Sequence, residues 1–92
     1  MEKKQGIIEV GKESLSMAEI LFNKKAEGIT KLARDGENWR VTLEVLERKA
    51  IPDTQDILSI YELKLTLDVE LVEYNRIGMR HRGDMVVEEE FQ

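Results

Sequence analysis

The chain has no cysteine, which excludes disulfides, thiolate nucleophiles and every cysteine-based metal or redox site, and nothing points to an oxidising compartment. Proline occurs once, at Pro52, and histidine once, at His81, while aromatic residues make up 5% of the sequence. Excess positive charge is missing too. A formal net charge of -5 argues against a general phosphate-binding surface, which needs clustered cations. No stretch approaches the roughly 18 apolar residues of a membrane span, and the N-terminus lacks the apolar run of a signal peptide. The expectation is a soluble, cytoplasmic protein.

What is present fits one modest core. With 92 residues, 41% hydrophobic and 36% charged, the chain is long enough for a single domain and too short for two. Residues 1–13 set Gly6 and Gly11 among charges and isolated aliphatics and read as a loosely ordered leader. The domain is expected over 14–83. Residues 84–92, with Glu88-Glu89-Glu90, read as a solvated acidic tail.

A helix is predicted to start at Ser16. Ser16 and Glu19 have capping-box spacing, and Leu15 and Ile20 occupy the places of a hydrophobic staple. Ala18, Leu21, Phe22 and Ala26 recur near the helical period, and Gly28 follows as a stop. Beyond it, Ile29, Leu32 and Ala33 could extend the helix. The Asp35-Gly36 pair before a clearly alternating segment is a hairpin signal, and favours a short strand over 29–34.

From Trp39 the period is two. Trp39, Val41, Leu43 and Val45 point one way, and in a second run Tyr61, Leu63, Leu65 and Leu67 form the apolar phase. A third run over 70–82 is mixed: Leu71, Ile77 and Met79 share a phase with Glu73 and Asn75, while Val72, Tyr74, Arg76, Gly78, Arg80 and Arg82 share the other. These elements predict an α+β fold, an N-terminal helix packed on one face of a three- to four-stranded antiparallel meander. If the Trp39 and Tyr61 phases face the helix, then Leu46, Ile60, Val72 and Tyr74 fall on the far side among Arg40, Glu44, Glu62, Lys64 and Arg76. That pattern fits a patch for a protein partner, or a face covered by the leader, the tail or a second copy of the chain.

Chemistry is poorly represented. His81 is flanked by Arg80 and Arg82 rather than by a carboxylate that would hold it as a catalytic base, and the sequence holds no P-loop or dinucleotide fingerprint. Ser14, Ser16 and Ser59 lack a glycine-framed elbow. Asp53 and Asp56, in the link that holds Pro52, read as backbone acceptors of a turn rather than as a cation or acid/base pair. No enzyme activity, metal or cofactor is expected. Arg76, Arg80 and Arg82 could bind phosphate or an acidic partner, or pair across strands with Glu44 and Glu62.

The order Trp39-Arg40-Val41-Thr42-Leu43-Glu44-Val45, Ile51-Pro52-Asp53-Thr54, Asp56-Ile57-Leu58, Tyr61-Glu62-Leu63, then Tyr74, Arg76 and Arg80 resembles the gas vesicle protein O family across residues 16–82. Its specific core is the Ile-Pro-Asp-Thr link with Asp56 and Tyr61-Glu62. Three positions depart from the family pattern: Asn38 replaces the glycine before the strand tryptophan, and Thr66 and Val69 replace an aspartate and a glycine in the last turn. Val69 is not expected to take a positive φ readily. The resemblance implies a non-enzymatic accessory or assembly protein of gas vesicle formation, cytoplasmic or vesicle-associated, whose partners are other accessory proteins or the shell protein. Trp39, Pro52, Asp53, Asp56 and Tyr61 then have fold roles. Glu62, Tyr74, Arg76 and Arg80, with Ile60 and Val72 of the apolar patch, are the candidate contacts. The alternative is a regulator of vesicle production that touches nucleic acid through Arg76, Arg80 and Arg82.

Overall fold

A computed structural model describes residues 6–84. Helix α1 spans Ile7–Phe22 and is followed by β1 (Ala26–Asp35), β2 (Asn38–Arg48), a single 3-10 turn (Asp53–Gln55), β3 (Ile57–Thr66) and β4 (Leu71–His81). The strands form one antiparallel sheet in the order β1-β2-β3-β4, a meander with α1 laid on β1 and β2. This is the expected α+β arrangement, with all four strands present. Residues 1–5 of the expected leader and 85–92 of the expected tail lie outside the described residues.

The helix begins nine residues earlier than the capping-box reading, which placed its start at Ser16, since its first residue is Ile7. Its buried stripe is Val10, Gly11, Ser14 and Ala18, so residues 7–13 of the expected loose leader belong to the helix's first half. Gly11 is a close-packing position rather than a breaker: a Cβ there would lie 3.3 Å from Ile29 Cδ1. Ser16 is an exposed mid-helix residue, and Ser14 donates its hydroxyl to the Val10 carbonyl at 2.7 Å. The helix ends not near Gly28 but at Asn23, whose φ of 57° marks a left-handed C-cap and whose N–H donates to the Glu19 carbonyl at 2.9 Å. The Glu19 carboxylate then accepts the Ala26 N–H at 2.9 Å and holds the start of β1. Ala26, Glu27 and Gly28 are therefore strand.

The strands follow the alternation that places one side in the core. Trp39, Val41, Leu43 and Val45 of β2 and Leu63 and Leu65 of β3 are buried against Val10 and Ala18 of α1. Each such aliphatic contributes about 1.5–3 kcal/mol by leaving water, and together they fix the register. Gly36, with φ 68°, makes the tight link between β1 and β2, where Asp35 pairs with Asn38. Leu67, expected in the buried phase, lies in the β3–β4 turn and is 41% exposed. Val69 of that turn takes a φ of 64° and is buried in the core cluster, so the positive-φ geometry is kept without a glycine.

Register shifts in β4 overturn one expectation. Leu71 pairs with Leu65 and Glu73 with Lys64, which makes Val72 an inserted residue; Arg76 pairs with Tyr61 and Gly78 with Ile60, which inserts Ile77 as well. The first bulge reverses the phase and the second restores it. Tyr74, opposite Leu63, and Arg76, opposite Tyr61, are thereby on the helix side of the sheet, not on the far side with Ile60. Gly78 and Arg80 are on the far side, opposite Ile60 and Leu58.

Candidate protein-contact surfaces

The three arginines expected to act together are separated by these bulges and by their partners. Arg80 clamps Glu44 with two bonds, Nε to Oε2 at 2.7 Å and Nη2 to Oε1 at 2.9 Å, from β4 across β3 to β2. Its Nη1 also donates to the His81 and Arg82 carbonyls. Hydrogen bonding to Glu44 holds the guanidinium charge more firmly, and partial burial opposes it. Arg82 bridges two carboxylates, donating to Glu27 Oε1 at 3.0 Å and to Asp56 Oδ2 at 3.1 Å. Arg76 is exposed and makes no ion pair among the described residues. The expected cross-strand pairing thus holds for Arg80 with Glu44, whereas Glu62 pairs with Arg40 at 3.2 Å.

Asp56 organises the Pro52 link. Its Oδ1 accepts the Ala50 N–H at 2.7 Å, and this bond, with the Arg82 guanidinium, holds its carboxyl below the ordinary aspartate value against the cost of burial. Asp53 opens the 3-10 turn, its carbonyl accepting the Asp56 N–H at 3.0 Å. Pro52 precedes that turn, with a cis peptide bond to Ile51. Trp39 is buried beneath α1, and Arg34 lies 5.5 Å above its ring. His81 is half exposed, with Nδ1 3.9 Å from Asp84 Oδ2.

Three surfaces remain. On the far side of the sheet a shallow depression gathers Ile60 and Ile77 with Glu44, Glu62, Arg80, Lys31, Thr30 and Thr42. Ile60, Glu62 and Arg80 meet there as the sequence pattern implied. Ile77, Lys31 and Thr30 were missed, since Ile77 joins only through the β4 bulge and Thr30 sits at a register irregularity of β1. On the helix side, Phe22 of α1 stacks on Tyr61 with centroids 3.9 Å apart and meets Tyr74 edge-on at 5.4 Å. Tyr74 nonetheless stays 45% exposed, with Arg76 next to it on the same side. Val72, in the first bulge, is 52% exposed. The third surface is on α1, where Glu13, Ser16, Met17, Ile20 and Leu21 border a shallow depression with Lys12. The i, i+3, i+4 spacing of 13, 16, 17, 20 and 21 was the available signal.

Among the described residues no helix is long and apolar enough to cross a membrane, and no set of three or more His, Asp or Glu side chains is placed to hold a metal ion.

Comparison with known proteins places these features in context. Residues 1–86 match the family described as Gas vesicle synthesis protein GvpO. The chain is 40% identical over 68 residues to Gas vesicle protein O1 of Halobacterium salinarum, covering 74% of this chain and 57% of that protein. It is 41% identical over 69 residues to Gas vesicle protein O of Haloferax mediterranei, with 74% and 49% covered. A Streptomyces species has a Gas vesicle protein O 35% identical over 63 residues, with 68% and 49% covered. The chain therefore spans about half the length of these curated relatives. No solved structure matches.

Proposed function

Since the chain belongs to the GvpO family of gas vesicle synthesis proteins, we propose that it is a non-enzymatic accessory factor of gas vesicle formation that works by protein–protein contact. The observation that carries this reading is the far face of the sheet, which no described element covers. Ile60 and the 56% exposed Ile77 lie there within a ring of paired charges, Arg80 with Glu44 and Arg40 with Glu62. An apolar centre with a satisfied polar rim is the composition of a protein contact patch. Its partners would be other gas vesicle accessory proteins or the shell protein.

Nucleic-acid contact through Arg76, Arg80 and Arg82 has less support. Two of the three guanidiniums are already held by carboxylates, Arg76 is on the opposite side of the sheet from Arg80, and the net charge is -5.

The test is affinity capture from cells building gas vesicles, with immobilised wild type beside Ile60→Asp and Ile77→Asp. Wild type should retain identified gas vesicle proteins and both variants should lose them at unchanged melting temperature. Equal capture by all three rejects this face. Duplex DNA binding at low salt that falls steeply toward physiological salt would favour the other reading.

A further inference from the structure

The two edges of the sheet differ in chemistry. On β1 the exposed residues, Thr30, Lys31, Arg34 and Asp35, are all polar. The outer edge of β4 instead exposes Val72, Tyr74, Ile77 and Met79, and among the described residues no strand pairs with it. A long apolar edge with open N–H and C=O groups invites another strand. The end of β4 shows where that strand comes from. The Arg82 N–H donates inward to the Asp56 carbonyl at 2.8 Å, so by alternation the N–H and C=O groups of His81 and Met79 point outward. Those of His81 are already taken by Asp84: its N–H donates to the His81 carbonyl at 3.0 Å, and its Oδ2 accepts the His81 N–H at 3.0 Å. Residues 81–84 therefore make a β-turn that reverses the chain and sets Asp84 beside the outer edge of β4. The turn is anchored on the Pro52 link. Gly83 donates its N–H to the Thr54 carbonyl at 2.9 Å, and a Cβ on Gly83 would lie 3.0 Å from Thr54 Cβ.

We propose that residues 85–90 run back along β4 as a fifth, antiparallel strand of the chain's own sheet. Counting from the turn sets Val86 opposite Met79 and Val87 opposite Gly78, and the bulge at Ile77 then brings Glu88 opposite Arg76 and Glu90 opposite Tyr74. Charge supports this register. Arg76 makes no ion pair among the described residues and gains a carboxylate across the strands, and Glu89 beside Glu88 keeps that partner acidic if the bulge is met one residue later. Shape supports it as well. A Cβ on Gly78 would lie 3.6 Å from Ile60 Cδ1, so Val87 next to Gly78 extends the apolar centre formed by Ile60 and Ile77. The new edge carries Glu88-Glu89-Glu90, whose like charges discourage further strand addition. The pairing concerns the backbone edge of β4 and does not rest on the accessory reading.

Amide hydrogen exchange of the full chain, read by NMR, tests the proposal. The outward Met79 N–H should exchange at least about tenfold more slowly in wild type than in Val86→Pro, which removes the N–H that would donate to the Met79 carbonyl. The Gly78 and Arg80 amides face β3 and should keep their protection in both, which excludes general unfolding. Arg76→Glu should speed exchange at Met79 too, and Glu88→Arg in the same chain should restore it. As the chain lacks cysteine, a second readout is a designed cross-link. Gly78→Cys with Val87→Cys places the two Cα atoms about 4.5 Å apart in a non-hydrogen-bonded pair and should close an intrachain disulfide. Gly78→Cys with Val86→Cys, whose side chain points to the other face, should close at least about tenfold more slowly. Equal exchange at Met79 in wild type and Val86→Pro, or equal closure of the two cysteine pairs, overturns the proposal. A disulfide that forms between chains rather than within one overturns it in favour of a second copy on this edge.

Discussion

Arg82 and Asp56 are joined through both side chain and backbone: the guanidinium donates to the carboxylate at 3.1 Å, and the Arg82 N–H donates to the Asp56 carbonyl at 2.8 Å. With the bond to Glu27, this one side chain ties the end of β4 to the start of β1 and to the Pro52 link. Arg82→Met leaves the Asp56 side chain, 3% exposed, without its counter-charge, while the backbone bond remains. Its melting temperature should fall clearly more than that of Arg40→Met, whose partners Asp35 and Glu62 have water as an alternative. Equal losses would show that Arg82 is no more than a surface pair.

The same cluster sets an acid limit. The carboxyls of Asp56 and Glu27 are held below their ordinary values, Asp56 chiefly by the Ala50 N–H and Glu27 chiefly by Arg82. A depressed folded-state pKa contributes stability that is fully present above the unfolded value, about pH 4, and is lost as pH falls through the folded one. Urea midpoints should therefore be insensitive to these two groups between about pH 6 and 8 and decline below about pH 4.5. Asp56→Asn should be less stable at neutral pH and show a shallower acid decline. An unchanged acid slope would remove Asp56 from the account.

Val69 makes a prediction opposite to the usual order of small residues. At φ 64° a residue with a Cβ is strained by about 1–2 kcal/mol, which glycine avoids, whereas in ordinary strand or helix positions glycine is worse than alanine by about 0.5–1 kcal/mol. Val69→Ala loses buried methyls and keeps the strain; Val69→Gly loses slightly more surface and releases it. Chemical denaturation should find Val69→Gly equal to or up to about 1 kcal/mol more stable than Val69→Ala. Alanine clearly above glycine would mean the turn relaxes.

Where one side of a strand is buried, its period of two is written in the sequence. Trp39 to Val45 and Leu63 with Leu65 were legible for that reason. β4 was not, because each bulge inserts a residue without any residue type to announce it, and Tyr74 and Arg76 changed sides as a result. The start of α1 was hidden by Gly11, whose place is set by Ile29, and by Ser14, whose hydroxyl turns back onto its own helix. Arg80 with Glu44 could be anticipated from strand neighbours. The Arg82 bond to Glu27 joins residues 55 apart, one just past β4 and the other in β1, and nothing local encodes it.

Arg80 tests whether an arginine of the candidate patch is a contact or a support. Glu44 is 9% exposed and accepts two guanidinium bonds, so removing Arg80 leaves a nearly buried carboxylate short of donors, a loss of about 1.5–3 kcal/mol for a charged group. A double-mutant cycle with Arg80→Met and Glu44→Gln should then return a coupling of about 1–3 kcal/mol, with the double variant more stable than the two single losses added together. The cycle also separates the readings of the far face. If Arg80 only supports the patch, the double variant keeps the shape around Ile60 and recovers most partner capture lost by Arg80→Met. If Arg80 is itself the contact, capture stays lost however much stability returns. The bidentate geometry favours the first outcome, since a guanidinium already fixed at 2.7 and 2.9 Å has few donors left to offer a partner.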